Sequence, residues 1–126
     1  MNIQIENKIT IEGQTELIFE EFDGKFKEIS DKIVLQYENE AAEKVLVKFD
    51  ENSLSMTRFA SVPILMKFQE NGLTSSFYEG LGNLEIFTQA VKFDRNAGQI
   101  FVAYQLSQNG LKIGDYQLKI RWTEVN

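Results

Sequence analysis

The sequence predicts an all-β fold, and three observations support this prediction. Runs rich in Val, Ile, Phe, Tyr and Thr are separated by pairs of turn residues, namely Asp23-Gly24, Asn71-Gly72, Ala97-Gly98 and Asn109-Gly110. Apolar and polar residues alternate with a period of two in most of these runs. No interval has sustained helical spacing. Consecutive short strands favour a closed antiparallel meander barrel of about eight to ten strands, because closure removes exposed edges.

The alternation defines the strands in the first half of the chain. Ile3, Ile5, Ile9 and Ile11 share one parity, and Gly13 ends their strand. Asp23-Gly24 is a strong hairpin signal, so we expect a turn there between a strand over 15–22 and another over 25–29. Further strands are expected over 32–38, 44–49 and 53–60, with a loop or a single helical turn over 39–43.

The second half contains two predicted irregularities. Pro63 precedes a strand that begins at Ile64, a position where its missing N–H group does not interrupt a ladder. Strands are expected over 73–79, 83–93, 99–107 and 116–122, with a tight bend at 80–82. Within 83–93 the apolar parity changes, which predicts a β-bulge over 88–90. Gly114 predicts a second bulge.

Length, charge and composition restrict the function classes. The 126 residues suit a single domain over 1–126. The net charge of −6 disfavours nucleic acid and anionic membranes as partners. Without His or Cys, the chain lacks the residues that most often carry proton transfer and thiol chemistry, so we expect no enzyme, no cofactor and no metal site. No secretory signal precedes the first strand, and a cytoplasmic location is expected.

Several segments resemble one known family. They are Lys32-Ile33-Val34-Leu35-Gln36-Tyr37-Glu38, Leu54-Ser55-Met56-Thr57-Arg58-Phe59-Ala60, Leu65-Met66-Lys67-Phe68, the run from Tyr78 to Leu84, and the run from Gly98 to Leu106. Together they resemble the YwiB-like family of small bacterial proteins, which carry a domain of unknown function. The resemblance covers nearly the whole chain. It implies a calycin-like, lipocalin-like barrel and no established activity.

Polar residues on apolar parities are the candidate ligand-binding residues. Arg58 shares the parity of Leu54 and Met56, so it either clamps an acidic ligand group inside the barrel or reaches the rim and pairs with an acid such as Glu38. The other candidates are Tyr37, Tyr78, Tyr104 and Thr88. Each of these has an ordinary alternative: a core tyrosine bonded to the backbone, or a threonine that accompanies the bulge. Leu54, Met56, Val102 and Ile120 are expected to line the rest of the site.

Two further groups of residues have alternative interpretations. Acidic residues cluster over 20–23 and 38–43, but neither cluster has calcium-loop spacing, so we interpret them as solvated turns. Phe87 and Phe101 lie on the outward parities of their strands. They are either buried under the N-terminal hairpins or form the surface of a homodimer.

These observations predict non-enzymatic binding of a small, partly apolar or acidic ligand inside the barrel. The alternative is a protein-interaction or structural module whose barrel is filled with side chains.

Overall fold

Ten antiparallel strands form the fold in the computed structural model of the protein, which describes residues 1–124. These residues contain no helix, and therefore none long and apolar enough to cross a membrane. The strands are β1 (Asn2–Ile11), β2 (Gln14–Ile29), β3 (Lys32–Glu38), β4 (Lys44–Phe49), β5 (Ser53–Phe59), β6 (Ile64–Gln69), β7 (Leu73–Tyr78), β8 (Gly82–Asp94), β9 (Gln99–Gln108) and β10 (Leu111–Thr123).

The strands follow one another around a nearly closed barrel. Their order in the sheet is β6-β5-β4-β3-β2-β1-β10-β9-β8-β7. Strands that are consecutive in sequence pair with each other, apart from β6 and β7, and β1 also pairs with β10. The β1–β10 pairing joins the two ends of the chain in the middle of the sheet. The predicted all-β antiparallel meander is confirmed, and its strand number is at the upper end of the expected range.

The predicted hairpin turn at Asp23-Gly24 is wrong, because both residues lie inside β2. Residues 14–23 of this strand pair with β1, and residues 24–29 pair with β3. At the change of partner, a Cβ atom on Gly24 would lie 2.5 Å from the Gln36 carbonyl oxygen. The glycine therefore permits close approach of two strands at a barrel corner. The chain reverses after β2 instead, where Ser30 has a φ of 58°.

The other predicted turns and both predicted bulges are confirmed. Asn109 and Gly110 have φ values of 52° and 79° and form the two-residue connection between β9 and β10. The register of β8 against β9 shifts between Thr88 and Ala90. The register of β10 against β9 shifts between Lys112 and Gly114. Residues 39–43 form a turn in which Asn39 Oδ1 accepts hydrogen bonds from the backbone N–H groups of Ala41 and Glu43.

Side-chain hydroxyls connect β6 to β7 at the last seam of the barrel. Ser76 Oγ donates a hydrogen bond to the Leu65 carbonyl oxygen at 2.7 Å, and Thr74 Oγ1 donates to the Lys67 carbonyl oxygen. Within residues 1–124, no backbone ladder joins these two strands. The barrel is therefore nearly closed rather than closed, because the β6 carbonyls meet hydroxyl groups where a ladder would place backbone N–H groups.

The turn between β6 and β7 is anchored on β8. The backbone N–H of Asn71 donates to the Thr88 carbonyl oxygen at 2.9 Å, and the Thr88 N–H donates to the Gly72 carbonyl oxygen at 3.1 Å. Beyond the bulge, the Val91 N–H donates to Glu70 Oε1 at 3.3 Å. These bonds hold the seam together at its turn.

The barrel interior has two aromatic ends. At one end Phe49 packs edge-on against Phe93, with ring centroids 5.3 Å apart, and against Trp122 at 5.1 Å. At the other end Tyr104 stacks on Tyr116 at 5.2 Å. Leu54, Val102 and Ile120 are fully buried in the core. Aromatic side chains therefore fill much of the interior at the Phe49 end.

Candidate functional site

A cavity of about 200 Å³ lies in the barrel interior toward the tyrosine end. Apolar and sulfur-containing side chains form much of its wall, namely Ile5, Met56, Met66, Phe68 and Leu118. Tyr37, Tyr104, Asn7 and Glu20 complete the wall. An apolar wall with a few polar groups is the usual composition of a small-molecule site. Of the residues expected to line the site, Met56 does so, whereas Leu54, Val102 and Ile120 lie in the packed core outside the cavity wall.

The four tyrosines of the chain gather around this cavity. Tyr37 and Tyr104 line it and are only 8% and 7% exposed. Tyr116 stacks on Tyr104 with an interplanar angle of 10°. Tyr78 lies behind Met66 and donates its hydroxyl hydrogen to Met66 Sδ at 3.0 Å. The structure therefore brings together the three tyrosines predicted as site residues and adds Tyr116, whose parity matches that of Leu118 and Ile120.

Burial raises the pKa of each of these tyrosine hydroxyls. For Tyr37, burial is the main cause, and the nearby Glu20 carboxylate raises the pKa further. For Tyr104, burial acts together with Tyr78 and Tyr116. For Tyr78, burial and Tyr116 raise the pKa against the opposing effect of the Arg58 guanidinium. The tyrosines therefore stay protonated at neutral pH and present O–H groups that donate and accept hydrogen bonds.

Glu20 and Asn7 are polar residues of the cavity wall that the sequence interpretation missed. Glu20 on β2 is directly opposite Ile5 on β1, and both side chains face the cavity. Glu20 shares the parity of Ile18 and Phe22, and Asn7 shares that of Ile5. Glu20 lies in the strand predicted over 15–22, but its grouping with Glu21 and Asp23 as a solvated acidic cluster hid the inward parity that it shares with Ile18 and Phe22.

Arg58 lies at the rim rather than inside the barrel. Its side chain is 45% exposed, and its Nε lies 3.6 Å from Glu43 Oε1. The inward parity shared with Leu54 and Met56 therefore does not bury the guanidinium, because β5 ends at Phe59 and the long side chain reaches solvent. The partner acid is Glu43, not Glu38. Glu43 Oε1 also accepts a hydrogen bond from Asn39 Nδ2 at 3.0 Å, which fixes the carboxylate at the rim.

Thr88 is fully buried on β8, opposite Tyr104 on β9. Its hydroxyl oxygen has no hydrogen-bond partner within residues 1–124. The side chain does not form part of the cavity wall. The backbone of Thr88 has a clear role, since it binds the turn between β6 and β7, but its unpaired hydroxyl is an unfavourable feature that the fold does not explain.

The structure has other, larger depressions. They measure about 420 Å³ beside Phe19, about 550 Å³ around Phe101 and about 410 Å³ beside Phe49 and Leu54. All three are open and bordered by long charged side chains, with Lys119 in the first two and Lys48 in the third. No group of three or more acidic side chains within residues 1–124 is placed to hold a metal ion. In the interior cavity, apolar and polar side chains from several strands converge on the inside of the barrel.

Phe87 and Phe101 differ in exposure. Phe87 is 42% exposed and lies opposite Leu73, which is 66% exposed. The predicted alternative of burial under the N-terminal hairpins is therefore wrong for Phe87. Phe101 is half-buried and lies between Lys92 and Lys119 on the neighbouring strands.

Comparison with known proteins agrees with this fold. No curated protein matches the chain. A solved structure described as "Crystal structure of ywiB protein from Bacillus subtilis" matches with a TM-score of 0.73 and 18% sequence identity, and the match covers 98% of this chain and 91% of that chain. At this identity the likeness shows the fold alone. The model of a family described as "Domain of unknown function (DUF1934)" matches residues 3–120. The YwiB-like resemblance of the sequence is thus confirmed, and the chain belongs to the DUF1934 family.

Proposed function

We propose that the protein is a non-enzymatic binding protein that holds a small, partly apolar ligand in the interior cavity. The observation that carries this proposal is the cavity of about 200 Å³ whose wall includes the buried tyrosines Tyr37 and Tyr104. A dry cavity of about 150 Å³ is enough to bind benzene. The ligand space therefore suits a molecule with one ring or a short branched chain. A calycin-like architecture, with its ligand inside the barrel, is part of the proposal.

The chemistry of the wall supports binding rather than catalysis. Met56 and Met66 are flexible and polarizable, so they adapt to an apolar ligand. The tyrosine hydroxyls have raised pKa values, which is the opposite of what a tyrosine base or nucleophile needs at neutral pH. Tyr37 and Tyr104 are the proposed direct ligand contacts, while Tyr78 and Thr88 support the wall from outside. A cytoplasmic location is part of the proposal. The chain has no Cys, so its fold does not depend on disulfide bonds, which a reducing compartment would not maintain.

Two neighbouring residues on β6 provide a matched test. Met66 faces the cavity, whereas Leu65 faces outward and is 40% exposed. We expect wild-type protein to bind benzyl alcohol, a neutral single-ring probe, in ligand-observed NMR. Met66→Phe fills the cavity and weakens this binding about tenfold or more, whereas Leu65→Phe leaves it unchanged. Thermal unfolding of both variants checks that they fold. Equal binding by both variants, or no binding by wild type, contradicts the proposal.

A second candidate function is homodimer formation through the outer face of β7 and β8. It is favoured by the exposed pair Leu73 and Phe87, with Phe77 55% exposed on the same strand as Leu73. Phe101 contributes less to such a surface, because Lys92 and Lys119 flank it. Light scattering after size exclusion tests this function: a dimer that Phe87→Ser dissociates, and that Phe101→Ser leaves intact, supports it. A monomer at high protein concentration contradicts it.

A further inference from the structure

We infer that the ligand of the interior cavity carries a positive charge: a small organic ammonium compound with one aromatic ring or a short apolar group. This inference rests on the proposed function, since it names the chemical class of the same ligand. It differs from the sequence-based expectation, in which Arg58 binds the acidic group of a ligand.

The charged group on the cavity wall is a carboxylate. Glu20 projects from β2 into the cavity and is half-buried there. The three ion pairs found within residues 1–124 are Arg58–Glu43, Arg95–Glu28 and Lys112–Asp115, so none of them supplies Glu20 with a cation. A partly desolvated carboxylate without a cationic partner favours a positively charged ligand.

Neither Arg58 at the rim nor Lys119 and Arg121, which border the outer depression beside Glu20, lies in the cavity wall. The Arg58 guanidinium pairs with Glu43 at the rim, outside the cavity wall. Its positive charge is therefore already balanced by an acid. The effect of Arg58 reaches Tyr78, whose pKa it lowers against the larger effect of burial. The cavity wall itself keeps one uncompensated negative charge, in a protein whose net charge is −6.

The remaining wall groups also suit an ammonium ion. Tyr37, Phe68 and Tyr104 surround the space with aromatic rings, whose faces attract cations. Tyr37 and Tyr104 line the cavity and are more than nine-tenths buried, whereas the Tyr78 hydroxyl is bonded to Met66 Sδ. A tyrosine oxygen accepts hydrogen bonds from N–H donors. Binding of an anionic ligand is disfavoured, because the Glu20 carboxylate repels it.

Three probes of nearly equal size test the inference: benzylammonium, neutral benzyl alcohol and benzoate. Their affinities are measured by calorimetry or ligand-observed NMR for the wild type, Glu20→Gln and the control Glu21→Gln. Glu21 is exposed on the opposite face of β2, where its carboxylate accepts a hydrogen bond from Gln4 Nε2 at 3.1 Å. Both variants change the net charge equally, but only Glu20→Gln changes the cavity wall.

The expected result is that wild type binds benzylammonium about tenfold or more tightly than benzyl alcohol, with benzoate weakest. Glu20→Gln removes the preference for the cation, and Glu21→Gln retains it. If benzyl alcohol binds but benzylammonium has no advantage, or if Glu20→Gln keeps the preference, the inference is overturned while the proposed ligand cavity stands. If none of the three probes binds, the proposed function fails and the inference fails with it.

Discussion

Burial raises the pKa of the Tyr37 hydroxyl, and the Glu20 carboxylate raises it further, because side chains from β2 and β3 meet at the same interior cavity. This relationship depends on the bend at Gly24, where β2 leaves β1 and begins to pair with β3. The same strand thus supplies a carboxylate to the cavity and forms the corner of the barrel.

The buried tyrosines predict a loss of stability at alkaline pH. Their pKa values are higher in the folded state than the ordinary value of about 10 in the unfolded chain. The stabilisation is therefore fully present below about pH 10, and it is lost as pH rises through the folded pKa values, because the unfolded state releases protons first. Each such group lowers the free energy of unfolding by about 1.4 kcal/mol per pH unit in this range.

Urea unfolding between pH 9 and pH 12 measures this loss, and absorbance at 295 nm follows tyrosinate formation. We expect the Tyr37→Phe and Tyr104→Phe variants to lose less stability per pH unit than wild type above pH 10. If all four tyrosines of the folded protein ionise at the same pH as in urea, the burial account is wrong.

Thr88 and Thr74 predict opposite results for the same substitution. The Thr88 hydroxyl is buried without a partner, whereas the Thr74 hydroxyl donates to the Lys67 carbonyl oxygen at the β6–β7 seam. Replacing Thr88 by Val removes an unsatisfied group, so we expect unchanged or increased stability. Thr74→Val removes a bond of the seam, and we expect a loss of about 1 kcal/mol. Chemical denaturation of both variants makes the comparison; a larger loss for Thr88→Val contradicts it.

We expect any side chain larger than that of Gly24 to destabilise the barrel corner by steric clash. In Gly24→Ala, the new methyl group meets the Ile3 side chain and the Gln36 carbonyl oxygen, and the carbonyl belongs to a paired strand that cannot easily move. We expect a loss of about 1–3 kcal/mol in the free energy of unfolding. Asp23→Ala is the control, because this exposed neighbour should change stability by less than about 0.5 kcal/mol. Equal effects of the two substitutions would argue for a turn at 23–24.

The Asp50 carboxylate stabilises its turn, and we expect this stabilisation to be lost in acid. Burial acts to raise the pKa of Asp50, but the backbone N–H groups of Asn52 and Ser53 and the Ser53 hydroxyl donate to its carboxylate, and the net shift is downward. A lowered folded pKa gives stabilisation that is present above about pH 4 and is lost as pH falls through the folded value.

We therefore expect Asp50→Ala to cost about 1 kcal/mol at pH 7, a modest figure because the turn is near solvent, and to cost less at pH 2. Unfolding curves of wild type and variant at these two pH values give the comparison. A difference that does not shrink in acid would show that the charged carboxylate is not what stabilises the turn.

The strands and bulges were predictable because their signals are local. Alternation fixes β3, β4 and β9, and the parity change within β8 marks its bulge before any pairing is known. The position of Asp23-Gly24 inside a continuous strand was not predictable in this way. The same dipeptide serves a two-residue hairpin or a bend in a continuous strand, and the choice depends on which strands pair on either side of it.

The candidate site was only partly predictable for a related reason. The parities of Tyr37 and Tyr104 correctly indicated the interior, because both lie within regular strands. For Arg58, parity left an interior and a rim position open, because it gives the direction of a side chain and not its distance from the strand end; the rim position is the one observed, with Glu43 as the partner acid. Glu20 was missed because it was grouped with Glu21 and Asp23 as a solvated acidic cluster, although its parity within the predicted strand over 15–22 matches that of Ile18 and Phe22. The seam formed by Thr74 and Ser76 is a tertiary feature that no local pattern indicates.

The most direct test of the ligand cavity uses the methionines of the chain. It has three, of which Met56 and Met66 line the cavity, while Met1 packs against the core elsewhere. With ¹³C-labelled methionine methyl groups, titration with benzyl alcohol is followed by NMR. We predict that the Met56 and Met66 signals shift and saturate together while the Met1 signal stays in place. Unchanged Met56 and Met66 signals, or an equal shift of Met1, would contradict binding inside the barrel.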